Sequence, residues 1–249
     1  MVTVSIVIPA KNEAGNIGTL LDEIDAACVG KADYEIIVVD DQSEDDTTKV
    51  VQGFMTDRAH LRLVSHDRSG GQSAAVNSGV HAARGTIICT LDGDGQNPPL
   101  ELPKLFLPLL DPQNAAFGIV AGQRVGRRDT LSKRLASRFA NGLRGWLLAD
   151  GTRDTGCGLK GFRREAYLVL PYFDHMHRYL PALFTRDGWQ VMHVDVSHRA
   201  RGAGRSNYNN LQRGLVGAVD LFGVMWLIRR KKKARATEVA RADDRPQGV

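Results

Sequence analysis

The sequence has few cysteines and no long apolar segment. Its 249 residues include Cys28, Cys89 and Cys157, an odd number without C-x-x-C spacing. This argues against a disulfide framework and favours a reduced compartment. The first apolar run, residues 4–8, is too short for a signal peptide or a membrane span. A chain of this length buries about 70% of its unfolded surface, so its core needs neither disulfides nor a structural metal.

An excess of positive charge is confined to one short segment. The formal net charge is +5, and five of the 33 basic residues are consecutive at 229–233. The other 28 equal the 28 acidic residues in number, which argues against a nucleic-acid-binding surface. The apolar segment before the cluster, residues 215–228, would form about 21 Å of helix, shorter than the roughly 30 Å hydrocarbon core of a bilayer. A complete membrane span is therefore not expected.

Short β-branched runs alternate with helical patterns in the first half. We predict strands at residues 4–8, 35–39, 61–64, 86–91 and 117–121. Amphipathic or capped helical segments lie between the first four strands, which predicts an α/β fold with a mostly parallel sheet flanked by helices. Beyond residue 125 strand signals become sparse and arginines become dense. That change favours a surface for an anionic ligand, with a solvated helix face as the alternative.

Acidic residues follow several of the predicted strands. In an open α/β sheet, ligands bind beyond the carboxyl ends of the strands. Asp92 and Asp94 are two residues apart after the fourth strand, on the same side of an extended chain. Two such carboxylates suit a hard divalent cation that shares its remaining positions with a diphosphate. The alternative is an Asp/Gly turn after a buried strand.

Four blocks of the first half carry a family resemblance. They are PAKNEAGNI, VVDDQSEDDT, SGGQSAAVNSGV and TLDGDGQNPP, at residues 9–17, 38–47, 69–80 and 90–99. Their order and positions resemble the inverting family 2 glycosyltransferases, which have the GT-A (Rossmann-like) fold. The resemblance implies an Mg²⁺ or Mn²⁺ ion held by Asp92, Asp94 and Gln96. The nucleotide-sugar residues that it implies are Pro9, Ala10, Glu13, Asp40, Asp41, Gln72, Asp92 and Gly93.

Three blocks of the second half narrow the resemblance. RDTGCGLKGFRRE, MHRYLPAL and VSHRARGAGRSNY, at residues 153–165, 176–183 and 196–208, look like the dolichol-phosphate mannose synthase branch and its bacterial polyprenyl-phosphate relatives. The implied acceptor is a polyprenyl phosphate, and the implied donor is UDP- or GDP-linked, with UDP favoured. The implied catalytic residues are Asp92, Asp94, Arg124, Arg138 and Arg201. The implied acceptor-phosphate ligands are Arg124, Ser137, Arg138, Arg199, Arg201 and Arg205.

A phosphate acceptor implies a simple mechanism and a membrane location. A phosphate monoester is already anionic near neutral pH, because its second pKa is about 6, so no dedicated base is required. Residues 215–228 and the basic cluster are typical of an amphipathic or interfacial helix that faces anionic lipid. We expect attachment at the cytoplasmic face, either peripheral or through a homo-oligomer that completes a lipid-facing surface. The expected organisation is a catalytic domain at 1–210, divided at 125/126, a membrane-associating segment at 211–233 and a disordered tail at 234–249.

Departures from the family pattern leave alternatives open. Asn207 stands where the family has a lysine near the phosphates, and Arg205 is its predicted substitute. A glycan hydroxyl acceptor would need a carboxylate base, for which Asp154 and Asp174 are the candidates. A catalytically silent subunit that binds nucleotide-sugar is the third alternative. Asp154 is expected either to orient a substrate or to cap a helix. His175, His177, His193 and His198 are interpreted as structural or surface residues.

Overall fold

The computed structural model describes residues 2–125, 145, 147–148, 151–199, 210–230 and 234. Seven strands form one sheet in the order β3-β2-β1-β4-β6-β5-β7. Their bounds are β1 Val4–Ala10, β2 Tyr34–Asp40, β3 Leu61–Ser65, β4 Ile87–Thr90, β5 Phe117–Arg124, β6 Lys160–Arg163 and β7 Gln190–Val196. The described helices are α1 Ala14–Cys28, α2 Thr47–Met55, α3 Gly71–Ala82, α4 Leu102–Leu110, α5 Arg164–Leu168, α6 Leu180–Arg186 and α7 Asn210–Arg229.

The sheet is mostly parallel, as the sequence predicts. β1 pairs in parallel with β2 and β4, and β2 with β3. β6 is antiparallel to both of its neighbours, β4 and β5, while β7 is parallel to β5. The α/β fold class is therefore confirmed, and the antiparallel β6 joins the first four strands to the rest of the sheet.

Two apolar clusters cover the two faces of the sheet. Because successive strand side chains point to opposite faces, Ile6 and Ile8 pack with α1 and α4, while Val7 packs with α3 and α6. The packing against α3 is very close, since a Cβ at Gly79 would lie 2.3 Å from Val7 Cγ1. These two apolar clusters hold β1, β2 and β4 together. Because β1 is parallel to β2 and β4, the carboxyl ends of the three strands lie at the same edge of the sheet.

Two strands were missing from the sequence-based expectation. β6 has only four residues, KGFR, and β7 reads QVMHVDV with polar residues at alternating positions. Both lie beyond residue 125, where strand signals are sparse. Each of them pairs with β5, so tertiary pairing decides their conformation more than local propensity does.

The C-terminal helix α7 packs through one side on the apolar cluster that contains α6. Val224 is buried, and Leu221, Met225 and Ile228 pack against the cluster that contains α6. Tyr179 donates a hydrogen bond from its hydroxyl to the Gly217 carbonyl (3.2 Å). Among the helices described, none is both long and apolar enough to cross a bilayer.

Candidate active site

The ends of β1, β2 and β4 bring the predicted donor residues together. Gly93 packs against the first block, because a Cβ there would lie 3.2 Å from the Pro9 carbonyl oxygen and 3.5 Å from Ala10 Cβ. The same position would be 3.4 Å from Glu13 Cγ. Glu13 is the N-cap position of α1 and accepts a hydrogen bond from Asn16 Nδ2 at 2.7 Å. The loop after β4 and the loop after β1 therefore form one surface.

Asp40 and Asp41, both buried, organise two neighbouring loops. Asp40 accepts hydrogen bonds from the Ser43 backbone N–H and hydroxyl and from the Thr48 hydroxyl. Asp41 accepts from Gly70 N (2.7 Å) and Gly71 N (2.9 Å) at the start of α3. These bonds give both carboxylates a definite structural role beside the donor surface.

Two side chains complete the environment of Asp41. Its carboxylate accepts a hydrogen bond from the Ser69 hydroxyl (2.8 Å) and lies 2.7 Å from His66 Nδ1. His66 Nε2 in turn contacts the Ser78 hydroxyl at 2.9 Å. Burial opposes ionisation of Asp41, but the hydrogen bonds from Gly70, His66, Ser69 and Gly71 outweigh it and lower its pKa to about 2. Asp41 is therefore ionised and holds the entry to α3 in place.

Asp92 contacts residues of both halves of the chain. Its Oδ1 accepts from Gln72 Nε2 (2.6 Å) and its Oδ2 from Asn97 Nδ2 (3.1 Å). A Cβ at Gly158, in the second-half block, would lie 2.1 Å from Asp92 Oδ2. Burial and then the charge of Asp94 raise the pKa of Asp92. A divalent cation would relieve this repulsion between the carboxylates of Asp92 and Asp94, so these oxygen ligands fit a hard metal ion.

Two hydrogen bonds hold the loop that contains Asp94 and Gln96. Asp94 Oδ1 accepts from the Gln96 backbone N–H (3.1 Å), and the Gln96 carbonyl accepts from the Arg199 backbone N–H (2.8 Å). No cluster of three or more His, Cys, Asp or Glu side chains suited to a metal occurs among the described residues. A metal here would therefore rely on Asp92 and Asp94, with ligand oxygens in its other positions.

A pocket lies between the first-half and second-half blocks. Pro9, Gln72 and Asp92 of the first half line it, together with residues 155–158 of the second half. Lys160, His177 and Arg178 also line it. Sequence reasoning missed these three residues as site residues, although they stand inside the blocks RDTGCGLKGFRRE and MHRYLPAL. The signal that could have found them is a cationic or imidazole side chain inside a block that resembles the family.

His177 is fixed by a contact across the pocket wall. Its Nδ1 lies 2.7 Å from the Ser73 hydroxyl on α3. Burial and then the charge of Lys160 lower the pKa of His177 to about 3, so the ring is neutral near pH 7. The structural interpretation of His177 holds for this contact, but the ring also borders the pocket.

The predicted basic residues are only partly described. Arg124 donates from Nε and Nη2 to the two carboxylate oxygens of Asp154, at 2.6 and 2.8 Å. Arg199 donates from Nη1 to both carboxylate oxygens of Glu23, at 3.0 and 2.8 Å. Ser137, Arg138, Arg201 and Arg205 lie outside the described residues.

The two candidate carboxylate bases stand in different places. Asp154 lies in the loop before β6 with its carboxylate bound by Arg124, so the helix-cap alternative is wrong. Asp174 is exposed over 64% of its side chain, and one carboxylate oxygen accepts from the His175 backbone N–H. Neither residue lines the pocket that contains Asp92.

Comparison with known proteins agrees with this geometry. The family model described as "Glycosyl transferase family 2" matches residues 5–170. This chain belongs to glycosyl transferase family 2. The glycosyltransferase is 32% identical over 234 residues to the dodecaprenyl-phosphate galacturonate synthase of Rhizobium johnstonii, covering 92% of this chain and 68% of the relative.

Two further comparisons concern a second relative and the fold. The undecaprenyl-phosphate 4-deoxy-4-formamido-L-arabinose transferase of Yersinia pestis is 32% identical to the glycosyltransferase over 208 residues. The match covers 83% of this chain and 62% of that relative, so the chain spans less than two thirds of its length. The glucosyl-3-phosphoglycerate synthase of Mycobacterium tuberculosis, solved with Mn²⁺ and UDP, has a TM-score of 0.68 at 22% identity, covering 91% of this chain and 79% of that one. This likeness supports the GT-A fold.

Proposed function

We propose that this glycosyltransferase transfers a sugar from a nucleotide-sugar to a polyprenyl phosphate and inverts the anomeric centre. The observation that carries the proposal is the pocket that Asp92 shares with Gly156 of the second half, where a Cβ on Gly156 would lie 3.2 Å from Arg124 Nη2. A phosphate acceptor needs cationic donors, whereas a hydroxyl acceptor needs a free carboxylate base. Two relatives at 32% identity are named as transferases or synthases of polyprenyl-phosphate sugars, which supports the same acceptor class.

The donor is proposed to lie along the ends of β1, β2 and β4. Pro9, Ala10, Glu13 and Gly93 form one continuous surface there, and Asp40 and Asp41 order the loops beside it. Gln72, the second residue of α3, donates a hydrogen bond to Asp92. We propose that these residues bind the nucleotide-sugar. A UDP-sugar is the favoured donor, because the D-x-G-C-x-L-K block resembles bacterial aminoarabinose-type transferases.

Asp92 and Asp94, with Gln96, are proposed to hold Mg²⁺ or Mn²⁺. The ion would stabilise the negative charge of the departing nucleoside diphosphate. Structural neighbours were solved with Mn²⁺ or Mg²⁺, which supports this choice. Gln72 and Asn97 orient the Asp92 carboxylate, and Gly158 leaves room for it.

The acceptor phosphate is proposed to attack the anomeric carbon directly. Because the phosphate is anionic near neutral pH, the protein has to orient it and need not remove a proton. Arg124, Ser137, Arg138, Arg199, Arg201 and Arg205 remain the proposed ligands of that phosphate. Arg124 and Arg199 are bound by Asp154 and Glu23 in the present structure, so engaging a substrate would require them to exchange these partners.

A hydroxyl acceptor has less support. Of its two candidate bases, Asp154 is bound through both oxygens by Arg124, and Asp174 is not among the pocket residues. A silent binding subunit has no use for two carboxylates beside a cationic pocket. Transfer to a phosphate therefore agrees best with the described side chains.

Membrane attachment is proposed to occur through α7. Its outward side exposes Val219, Phe222 and Trp226, with relative exposures of 71%, 69% and 61%. Arg229 and Arg230 follow on the same helix end and are exposed. An apolar side next to basic residues suits the interface of an anionic membrane. We propose a catalytic domain at 1–210, attachment by 211–233 at the cytoplasmic face, and a tail at 234–249.

The test is transfer of radiolabelled sugar from a panel of UDP- and GDP-sugars to short-chain polyprenyl phosphate, with Mg²⁺ or Mn²⁺. We expect one donor to give an organic-extractable product that disappears with EDTA. Asp94→Ala should abolish turnover while the circular dichroism spectrum stays unchanged, and the exposed Asp46→Ala serves as the matched control. Normal turnover in Asp94→Ala, or lack of lipid product from a folded, nucleotide-binding protein, would overturn the proposal.

A further inference from the structure

Lys160 is a buried cation inside the candidate active site. It is the first residue of β6, between β4 and β5, and only 4% of its surface is exposed. Its Nζ donates a hydrogen bond to the Cys157 carbonyl. Lysine is almost never fully buried without a partner of opposite charge, so this position requires an explanation.

The protein supplies little compensation for that charge. An ammonium group has three N–H donors, and within the described part of the chain Nζ reaches one acceptor, a neutral carbonyl. Burial lowers the pKa of Lys160, and its electrostatic interactions with Cys157 and Asp92 oppose that shift. Removing a charged group from water without good pairing costs several kcal/mol. A ligand that supplies negative charge would offset this cost.

Arg178, which is half-buried, lines the same pocket. Its backbone N–H bonds to the His175 carbonyl, but no described residue accepts a hydrogen bond from its guanidinium group. The guanidinium group has five N–H donors in a planar arrangement that matches phosphate oxygens. Two cations that have N–H donors without a partner among the described residues therefore border one pocket.

The size and position of the pocket favour a single anionic group. Its volume of about 130 Å³ is well below the roughly 300–1,000 Å³ of sites that enclose a whole drug-sized ligand. Asp92 also lines this pocket. With a divalent ion on Asp92 and Asp94, the two carboxylates would be neutralised, and the positive charges of Lys160 and Arg178 would remain without a counter-charge.

We propose that Lys160 and Arg178 together bind a phosphate group of the substrates. This inference rests on the proposed function. The phosphate could belong to the nucleoside diphosphate of the donor or to the polyprenyl phosphate, because both present the same oxygens. Lys160 would contact it as a point charge and Arg178 through two parallel hydrogen bonds.

The experiment compares Lys160→Met and Arg178→Met with Lys31→Met. Lys31 is exposed and precedes β2, at the other edge of the sheet, so its substitution is the matched control. Three quantities are measured for each protein: the Kd of UDP and of GDP with Mn²⁺ by calorimetry, the KM for a short-chain polyprenyl phosphate, and the thermal midpoint. Lys160→Arg tests whether charge alone restores binding.

We expect each pocket variant to weaken one phosphate ligand at least tenfold, equivalent to about 1.4 kcal/mol. A higher Kd for the nucleotide identifies the donor phosphate, and a higher acceptor KM with an unchanged nucleotide Kd identifies the lipid phosphate. The thermal midpoint should not fall in Lys160→Met, because replacing a buried charge by an apolar side chain of similar size is often neutral or stabilising. If the role of Lys160 were purely structural, Lys160→Met would lower the thermal midpoint.

Unchanged Kd and KM in both variants would overturn the inference, as would binding losses that only accompany a lower thermal midpoint. If Lys160→Met does not fold, Arg178→Met, whose residue is half-buried, decides the question. Failure of the proposed function is separately visible. In that case the wild-type protein makes no lipid product, while the nucleotide Kd still responds to the two substitutions.

Discussion

Gly158 controls the position of the Asp92 carboxylate. The space that a side chain would fill at this residue is occupied by Asp92, whose Oδ2 and Cγ would lie 2.1 and 2.4 Å from a Cβ. Gly158 does not have a positive φ, so its backbone conformation is open to other residues. The requirement for glycine at this position therefore comes from contact with a carboxylate across the pocket.

Gly158→Ala should reduce transfer without unfolding the protein. The new methyl group must displace Asp92, which weakens its contacts with Gln72 and Asn97 and its fit to a metal ion. We expect kcat/KM to fall at least tenfold, about 1.4 kcal/mol of transition-state stabilisation, and half-saturation to need more Mn²⁺. Steady-state kinetics over a range of Mn²⁺ concentrations measures both effects.

Gly53→Ala is the control for that experiment. Gly53 lies within α2, and a Cβ there would meet nothing within 4 Å. Alanine is the better helix former, so this variant should keep full activity and gain up to about 1 kcal/mol of stability. Equal activity of the two variants would contradict the role of Gly158.

The residues of the site were predictable to different extents. Asp92 and Asp94 follow a β-branched strand, and the sequence predicted them because their D-x-D spacing lies within one of four blocks that resemble a known family; their role stays a prediction. Lys160 and Arg178 are far from them in sequence. Lys160 reaches the pocket of Asp92 through the pairing of β6 with β4, and Arg178 reaches it through the segment 176–178, which contacts Ser73 on α3. Sequence analysis assigned no role to either cation, since a lone basic residue is more often solvated than buried.

At the scale of elements, α7 has two unlike sides. One side is held by the Tyr179 hydroxyl and by Arg186, whose Nε donates to the Leu227 carbonyl (3.0 Å). Asp220, the charge that interrupts the apolar segment, lies 3.1 Å from His175 Nδ1. The charge therefore contacts the catalytic half, and the opposite side of the helix presents apolar residues to the surroundings. The sequence predicted an amphipathic helix, but only the structure distinguishes the two sides.

Replacing Phe222 and Trp226 by Gln should weaken membrane binding. Burying each side chain in the interface is worth about 1.5–3 kcal/mol, so we expect the vesicle partition coefficient to fall at least tenfold. Co-sedimentation with phosphatidylglycerol-containing vesicles measures this coefficient. Added salt should weaken vesicle binding of the wild-type protein, because Arg229 and Arg230 are exposed. Activity on a water-soluble acceptor should be retained.

A double variant elsewhere on the surface controls for general loss of apolar area. Leu100 and Val169 are exposed over 71% and 69% of their surface and lie outside α7. Their replacement by Gln should leave vesicle binding unchanged. Equal losses in the two double variants would mean that α7 is not the attachment surface.

On the scale of the whole molecule, β6 connects the two halves within one sheet. This strand of the second half lies between β4 and β5, two strands of the first half, and is antiparallel to both. Its Phe162 is fully buried and packs on Tyr167 and Phe184, with ring centroids 5.1 and 5.9 Å apart. The sequence predicted the first half of this sheet strand by strand, because its β-branched runs are buried on both faces. It did not predict β6, whose burial depends on strands that precede it by many residues.

Phe162→Ala should therefore destabilise both halves together. Truncating a buried phenylalanine typically costs about 3–5 kcal/mol, through lost burial and the cavity that remains. Phe222→Ala, at an exposed position on α7, is the matched control and should change the free energy of unfolding by less than about 0.5 kcal/mol. Urea unfolding followed by circular dichroism and by tryptophan fluorescence measures both variants. Because β6 pairs with strands on each side, the two signals should shift to lower urea concentration by the same amount. Separate transitions for the two signals would instead mean that the halves unfold independently and that β6 does not couple them.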